Sequence, residues 1–279
     1  MNQFFTLRRA TLLLALTLPG FCWGFGPAPL TALIVNDGGA NDGGFDTGTV
    51  QPFLTGRLVN AGYTVTANTG VPAGSLAGYQ QIWDIRYSTN TPLTGSDITA
   101  YTTYLQGGGS LFVMGENHSF APARDSSIIP LITAAGGGNA TILQTADSQN
   151  LQTVQPPFTG PVPLTTITFA AIGGFGTIGN ARYVTLDANN VPGGIVFSKG
   201  TLTNATSGSL IVVLDVNFLT AGVGSSQALT DNLIAYLAAP TVISSVPSAT
   251  PAPPSAILVL TGLGAAGIYF AYRRRQKAA

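Results

Sequence analysis

The sequence predicts an α/β domain whose doubly wound, mostly parallel sheet is flavodoxin-like and carries helices on both faces. Three observations predict this fold. Continuous apolar runs, typical of strands buried on both faces, occur at residues 30–35, 110–114 and 209–216. Segments with helical spacing of apolar residues alternate with these runs through short loops, as in β-α-β units. The 279 residues are 45% hydrophobic and only 8% charged, so the chain can bury a core of domain size.

The first half of the domain accounts for four strands and two helices. Residues 30–35 (LTALIV) form a predicted buried strand, and residues 50–61 have apolar side chains at helical spacing before Gly62, a glycine in the C-cap position. Further strands are predicted over residues 63–67, 81–85 and 110–114, and a helix capped by Thr94 or Ser96 is predicted through Leu105.

The second half is less regular. Residues 136–200 contain Thr/Gly-rich, β-prone segments such as 165–172 and 183–186. Residues 209–216 (SLIVVLDV) predict a last buried strand, and residues 227–237 predict a closing helix with leucines on one face.

The first 24 residues have the features of a secretory signal peptide. Arg8 and Arg9 precede a short apolar stretch, and the small residue Gly24 follows at a plausible cleavage point. The stretch is too short to span a bilayer of about 30 Å, and a buried N-terminal helix is the alternative. Cys22 is the only cysteine, so cleavage would leave a chain without disulfides or thiolates.

The C-terminal 39 residues divide into three parts. Residues 241–255 form a Pro/Ser-rich linker, and residues 256–272 carry no charge and approach the minimum length of a membrane helix. A basic cluster follows, comprising Arg273, Arg274, Arg275 and Lys277. The positive-inside rule would keep this cluster in the cytoplasm and everything before it outside. A plain C-terminal anchor in the inner membrane is one interpretation.

The order of Pro-rich motif, short apolar helix and arginine cluster resembles the PEP-CTERM sorting signal of Gram-negative bacteria. The signature Pro-Glu-Pro of that family corresponds here to Pro251-Ala252-Pro253, followed by Pro254, so the glutamate is replaced. The resemblance implies export, transit through the inner membrane, processing by an exosortase-type enzyme, and a final place at the cell surface or in the extracellular matrix. It also implies extracellular polysaccharide as a candidate partner.

Charge excludes one class of partner for the domain of residues 25–240. This segment contains all eleven acidic residues of the chain but only five of the eleven basic residues, a formal charge of −6. An acidic surface repels polyanions, so we expect no nucleic-acid binding.

A second resemblance concerns the domain itself. Residues 104–117 (YLQGGGSLFVMGEN) resemble the core of class I glutamine amidotransferase-like domains, including the ThuA-like group, in which a helix, a Gly-Gly turn and a buried strand lead into a sharp elbow. Residues 215–219 and 232–234 resemble the final strand and helix of these proteins. Their catalytic members carry a cysteine at the elbow. This chain has Gly115-Glu116-Asn117-His118 there, which excludes acyl transfer through a thiolate.

The elbow contains the only glutamate and the only histidine of the chain, Glu116 and His118. One interpretation is a general acid/base pair, with Asp215 as a third catalytic candidate. The other is a structural turn, because polar loop side chains often bond to the local backbone.

Polar residues follow several of the predicted parallel strands. Open parallel sheets bind ligands at the carboxyl ends of their strands, so these residues are candidates for a small-ligand or glycan pocket. The candidates are Asp37, Asp84, Arg86, Glu116, Asn117 and Asn217. A decayed site is the alternative.

The loop of residues 36–46 (NDGGANDGGFD) is rich in hard oxygen ligands. Asp37, Asn41, Asp42 and Asp46 are candidate ligands for Ca²⁺, although the loop lacks the spacing and terminal glutamate of an EF-hand. A glycine-rich turn without an ion is the alternative, and we expect no other cofactor.

Three functions follow. The first is an exported surface or matrix protein whose non-catalytic domain binds a small ligand or glycan. The second is a secreted hydrolase that acts on carbohydrate or peptide through Glu116 and His118. The third is a Ca²⁺-stabilised adhesion domain, whose melting temperature would rise with Ca²⁺ unless Asp37 and Asp42 were replaced by asparagine.

Overall fold

Strands and helices alternate along the first half of the chain, and strands predominate in the second. The computed structural model describes residues 29–144, 149–221 and 225–238. Within these ranges the strands are β1 (Leu30–Asn36), β2 (Tyr63–Thr69), β3 (Gln81–Asp84), β4 (Ser110–Met114), β5 (Ala140–Ile142), β6 (Leu151–Val154), β7 (Thr166–Thr168), β8 (Phe175–Ile178), β9 (Arg182–Leu186), β10 (Gly194–Phe197) and β11 (Ser209–Val213). The α-helices are α1 (Gln51–Asn60), α2 (Gly95–Gln106), α3 (Pro122–Ala135) and α4 (Ser226–Ala238). A π-helical turn, Asp46–Val50, leads into α1, and a short 3₁₀ helix spans Asn217–Leu219.

The predicted terminal segments lie outside the described residues. They are the signal peptide (1–24), the linker (241–255) and the tail (256–279), which include the sorting residues Pro251, Pro253, Pro254, Arg273, Arg274 and Arg275. Their predicted roles therefore stay predictions. None of the helices in the described ranges combines the length and apolarity needed to cross a bilayer.

Nine of the strands in the described ranges form one sheet in the order β2-β1-β3-β4-β11-β10-β9-β6-β7. The first five run parallel to one another. This confirms the prediction of an α/β fold with a large parallel sheet, in the strand order typical of flavodoxin-like domains. The remaining four strands pair antiparallel and extend the sheet in a way the sequence analysis did not predict. Strands β5 and β8 form a separate antiparallel pair.

Helices cover both faces of the parallel part, which makes it doubly wound. Alternate side chains of β1 enter two separate cores: Ala32 and Ile34 pack with α1 and α4, whereas Leu33 and Val35 pack with α2 and α3. This division explains why the strand reads as a continuous apolar run rather than an alternating one. Leu58 on α1 is completely buried. Truncating such a side chain to alanine costs about 2–5 kcal/mol.

Helix α2 begins where the sequence predicted. The hydroxyl of Thr94 accepts the N–H of Asp97 at 3.2 Å, and the Asp97 carboxylate accepts the N–H of Thr94 at 3.1 Å. This reciprocal capping box satisfies two backbone donors that the helix itself leaves unpaired. The helix ends at Gln106 with Gly107 as its C-cap, and Gly108 adopts a positive φ of 93° that directs the chain into β4.

Helix α3 was not predicted, because Pro130 lies within it and proline usually interrupts a helix. Pro122 occupies the first turn, where its missing N–H costs nothing. Gly136 ends the helix in the left-handed conformation, with a φ of 84°. The helix matters for the candidate site because its first turns carry Arg124 and Asp125.

Candidate functional site

The predicted site residues lie along one edge of the sheet. Strands β1, β3, β4 and β11 are neighbours and run parallel, so their carboxyl ends meet at that edge. The residues that follow them are Asp37 after β1, Asp84 and Arg86 at and after β3, Glu116, Asn117 and His118 after β4, and Asp215 and Asn217 after β11. Their common position at this edge agrees with the prediction from the sequence, whereas the contacts of each group could be read only from the structure.

Asp84 lies at the centre of a buried charge network. Its carboxylate is 2.7 Å from Nη2 of Arg86 and 3.1 Å from Nη2 of Arg124, and it accepts the Tyr101 hydroxyl at 2.9 Å. Burial by itself would raise the pKa of Asp84, but the two guanidinium groups lower it to about 2. The carboxylate is therefore ionised throughout the physiological range.

The two arginines connect this network to the surrounding elements. Arg86 also contacts the Asp97 carboxylate at 3.3 Å, which links the end of β3 to the capping box of α2. Arg124 donates to the carbonyl oxygens of Met114 at 3.0 Å and Thr91 at 3.2 Å. Asp84 and Arg86 thus hold interior elements together. Their predicted ligand binding stays a prediction.

Glu116 is bound to the backbone on both sides of the elbow. Its Oε1 accepts the N–H of Asn117 at 2.9 Å, and its Oε2 accepts the N–H of Val216 at 3.2 Å. The residue is only 5% exposed. Burial and the nearby charge of Asp215 raise the pKa of Glu116 to about 8, so the side chain is mostly protonated at neutral pH.

His118 is placed beside Asp125 of α3. Nδ1 of His118 lies 3.7 Å from Oδ2 of Asp125, while Oδ1 of Asp125 accepts the Glu116 N–H at 3.0 Å. Burial raises the pKa of Asp125 to about 7. The structure therefore gives His118 a carboxylate neighbour that the sequence analysis missed, because nothing in the local sequence assigns residue 125 to a helix facing the elbow.

Asp215 and the two asparagines organise loops. Oδ2 of Asp215 accepts the N–H groups of Ala170 and Ala171 at 2.9 and 3.0 Å, and its Oδ1 accepts the Asn217 N–H at 2.6 Å. Burial raises the pKa of Asp215. Asn117 is buried, and its Oδ1 accepts the Ser119 N–H at 2.9 Å. Asn217 is half-buried at the same edge.

Gly173, in the loop before β8, packs directly against the elbow. A Cβ atom placed on Gly173 would lie 2.9 Å from the carbonyl oxygen of Glu116 and 3.2 Å from Cα of Asn117. A Cβ atom on Gly115 would lie 2.5 Å from Cδ2 of Leu214 and 2.8 Å from Oδ1 of Asp125. Because real Cβ atoms almost never approach so closely, the packing excludes a side chain at position 115 and leaves Glu116 beneath the loop.

The loop between β1 and α1 brings three predicted metal ligands together. Carboxylate oxygens of Asp37, Asp42 and Asp46 lie within 4.8 Å of one another. Burial, with the charges of Asp37 and Asp42, raises the pKa of Asp46 to about 7. Asn41, the fourth predicted ligand, is exposed, and its backbone carbonyl accepts the Ser88 hydroxyl at 3.3 Å.

Tyr87 lies near both the loop of residues 36–46 and the elbow. Its ring makes an edge contact with Phe45 at a centroid distance of 6.0 Å. Burial raises the pKa of Tyr87, and so do the charges of four surrounding acidic groups, which are Asp42, Glu116, Asp46 and Asp37. Tyr87 therefore lies near acidic groups of both the loop and the elbow, a position that the sequence did not predict.

A cavity of about 490 Å³ lies at the opposite edge of the sheet. Its lining includes Tyr79, Gln80, Thr103, Tyr104 and Lys199, near the amino ends of β3 and β4. This volume is within the range of small-molecule sites. No feature of the sequence predicted this cavity, since the predicted site residues all belong to the carboxyl edge.

Comparison with solved structures shows that this chain is similar in fold to several known proteins. The structure is similar to the mmIFT52 N-terminal domain, with a TM-score of 0.58 and 11% identity over 75% of this chain and 99% of that one. It is also similar to a putative ThuA-like protein from Bacteroides uniformis, with a TM-score of 0.49 and 16% identity over 78% and 95% of the two chains. A glutamine amidotransferase from Thermotoga maritima has a TM-score of 0.45 and 8% identity over 75% and 96%.

At such identities these likenesses concern the fold alone, and the two with TM-scores below 0.5 carry no argument. No protein-family model matches the sequence, and no curated protein matches it. The strand order and the likeness to solved structures therefore define the fold alone, a doubly wound α/β domain with polar residues along the carboxyl edge of its sheet.

Proposed function

We propose that this chain is an exported protein of the cell surface or extracellular matrix of a Gram-negative bacterium, with an amidotransferase-like domain that binds a small ligand or glycan without catalysis. The observation that carries the non-catalytic part is the covered elbow. Both oxygens of Glu116 accept backbone N–H groups, and Gly173 packs against the carbonyl of the same residue. A nucleophile at this position would need both a reactive side chain and access to substrate.

Export is supported by the order of features in the sequence. A basic and apolar N-terminal segment, a Pro/Ser linker, a short apolar stretch and an arginine cluster occur in the order that a PEP-CTERM-type route requires. In this proposal the tail holds the protein in the inner membrane until an exosortase-type enzyme releases it. Replacing Arg273, Arg274 and Arg275 by alanine tests the route, since the variant should no longer be retained and processed like the wild type.

Ligand binding is supported by the cavity of about 490 Å³ beside Tyr104. Gln80 and Lys199 provide polar groups in its wall, and Tyr79 and Tyr104 provide aromatic surface. A thermal-shift screen of mono- and oligosaccharides against the full chain tests this part. The variant Thr103→Trp, which fills the cavity from an exposed position, should abolish any shift that arises there.

A secreted hydrolase is the second candidate, and one observation favours it. His118 lies 3.7 Å from the buried Asp125, and Glu116 has the raised pKa expected of a general acid. The non-catalytic proposal predicts that the full chain hydrolyses no member of a panel of glycosides, peptides and esters above the level of Glu116→Gln or His118→Ala. An activity lost in both variants would favour the hydrolase instead.

A further inference from the structure

The acidic loop, defined as residues 36–46, concentrates negative charge without a basic partner. Oxygens of Asp37, Asp42 and Asp46 lie within 4.8 Å of one another. The ion pairs found among the described residues involve Asp84, Asp97, Asp125 and Asp231, and none includes a carboxylate of the acidic loop. Three like charges at this spacing repel one another unless a cation or protons compensate them.

Asp46 supplies an independent sign of a ligand. The residue is 0% exposed, and one of its carboxylate oxygens accepts the Asp37 N–H at 2.6 Å. The other oxygen is buried and has no hydrogen-bond partner among the described residues. Buried polar atoms are almost always paired in folded proteins, because an unpaired one retains its full desolvation cost. The Asp46 carboxylate faces those of Asp37 and Asp42, so a cation between the three would supply the missing partner.

Backbone hydrogen bonds hold the other two carboxylates in place. Asp42 accepts the N–H groups of Gly44 at 2.8 Å, Phe45 at 3.1 Å and Asp46 at 2.8 Å, and Asp37 accepts the N–H of Gly39 at 2.8 Å. Oδ1 of Asp42 accepts two of these N–H groups, but Oδ2 of Asp42 and Oδ1 of Asp37 accept one each. A carboxylate oxygen has two lone pairs, so these two oxygens can still coordinate a metal ion. The acidic loop therefore positions its ligands before any ion arrives.

The ligand chemistry selects the ion. Carboxylate oxygens on an irregular glycine-rich loop suit Ca²⁺, which accepts six to eight oxygens in flexible geometry, whereas Mg²⁺ requires a nearly ideal octahedron. Cysteine and histidine, the usual ligands of Zn²⁺, are absent from the cluster.

We propose that the acidic loop binds one Ca²⁺ ion through Asp37, Asp42 and Asp46. The ion joins the end of β1 to the turn Asp46–Val50 that runs directly into α1. It therefore stabilises the start of the helix that covers one face of the sheet. This inference does not depend on export or on the function of the elbow.

Thermal unfolding of the full chain tests the proposal. After treatment with a chelator, adding CaCl₂ at about a hundredfold excess over the dissociation constant should raise the melting temperature by about 5–10 °C. Asp46→Asn should abolish the shift and leave the ion-free protein at least as stable as the wild type, because the new amide can donate to Asp37 and Asp42. Asp37→Asn keeps the hydrogen bond from Gly39 and should also abolish the shift.

Asp187→Asn is the matched control. Asp187 is another buried loop carboxylate, and it accepts the N–H groups of Asn189 and Val191, both at 2.8 Å, and of Gln149 at 3.0 Å. This variant should lower stability and keep the full response to Ca²⁺. No shift in the wild type up to about 10 mM CaCl₂, above the range of weak extracellular sites, would overturn the proposal. An equal shift in Asp46→Asn, or an equal response to MgCl₂, would also overturn it.

Terbium luminescence gives a second readout that does not depend on stability. Tb³⁺ replaces Ca²⁺ at oxygen sites and is excited by a nearby tyrosine, and Tyr87 packs against Phe45 of the acidic loop. The wild type should show sensitised emission that CaCl₂ displaces and that Tyr87→Phe reduces strongly. Emission that persists unchanged in Asp46→Asn would place the ion elsewhere and contradict the proposal.

Discussion

Oδ1 of Asp125 accepts the backbone N–H of Glu116 at 3.0 Å, so helix α3 is bonded directly to the elbow after β4. The bond holds the elbow from the helix side, while Gly173 packs against the backbone of Glu116 and Asn117. Its acceptor is a carboxylate with no exposed surface on its side chain. The elbow is thus a point of structural connection between β4, α3 and the loop that precedes β8.

Removing that acceptor should destabilise the domain. We expect Asp125→Ala to lower the free energy of unfolding by about 1–3 kcal/mol, because the buried N–H of Glu116 loses its partner. Asp125→Asn retains an oxygen acceptor and should lower the free energy of unfolding clearly less than Asp125→Ala does. Urea denaturation followed by circular dichroism measures both values. Equal losses in the two variants would mean that the hydrogen bond contributes nothing.

Breaking the buried charge network around Asp84 should lower the free energy of unfolding much more than breaking an ion pair at the surface. Arg124→Met leaves the buried Asp84 with one guanidinium partner fewer, and we expect a loss of about 3–5 kcal/mol. The control is Arg57→Met, which breaks the pair with Asp231, whose side chains are about a quarter exposed. That pair should contribute less than about 1 kcal/mol. Comparable losses in the two variants would contradict the central role of Asp84.

The elbow should make stability depend on pH. Folding raises the pKa of Glu116 from its ordinary value of 4.5 to about 8. A group whose pKa is raised in the folded state contributes stability that is complete below its unfolded pKa and is lost as the pH rises through the folded pKa. The free energy of unfolding should therefore fall between about pH 4.5 and pH 8, and Asp125, with a pKa of about 7, adds to this fall.

Glu116→Gln isolates the contribution of the glutamate. The variant loses the titrating proton, so the difference in unfolding free energy between wild type and variant should shrink or reverse as the pH rises. Urea titrations at pH 5, 6.5 and 8 measure this difference. A difference that does not change with pH would show that Glu116 is ionised in the folded protein throughout this range.

Because Gly173 packs tightly against the elbow, adding a methyl group there should affect stability in the opposite direction from adding one on the exposed face of α1. Gly173→Ala should destabilise the protein by about 1–3 kcal/mol, because its Cβ would contact backbone atoms of Glu116 and Asn117. Gly56→Ala, on an exposed part of α1 with nothing within 4 Å of the new Cβ, should stabilise it by about 0.5–1 kcal/mol. If Gly173→Ala is as well tolerated as Gly56→Ala, the loop does not close the elbow.

The parts of the fold that depend on local pattern were predictable. Apolar runs identified β1, β3, β4 and β11, and the Thr94 cap marked the beginning of α2. Helix α3 was missed because Pro130 contradicts a helix locally, whereas packing of Ile128 and Leu131 against the sheet outweighs that cost. The antiparallel strands were described only as β-prone segments, since short Thr/Gly-rich strands have no strong period.

The candidate site likewise contains some features that the sequence predicts and others that only the folded chain shows. The three aspartates of the acidic loop were predicted to lie together because they are close in sequence. The contacts of Asp84 with Arg124, and of His118 with Asp125, join different elements, and no local pattern specifies them. The cavity beside Tyr104 was missed for a related reason, since residues from the amino ends of several strands form it only in the folded chain.

The most direct test of the central claim is the intact mass of the protein recovered from its native host, fraction by fraction. We expect an extracellular or surface species whose mass corresponds to a chain that begins near Phe25 and ends near Pro253. A species that retains the segment from Arg273 to Lys277 in the inner membrane would contradict processing through the tail. The domain would then be a membrane-anchored module facing the periplasm.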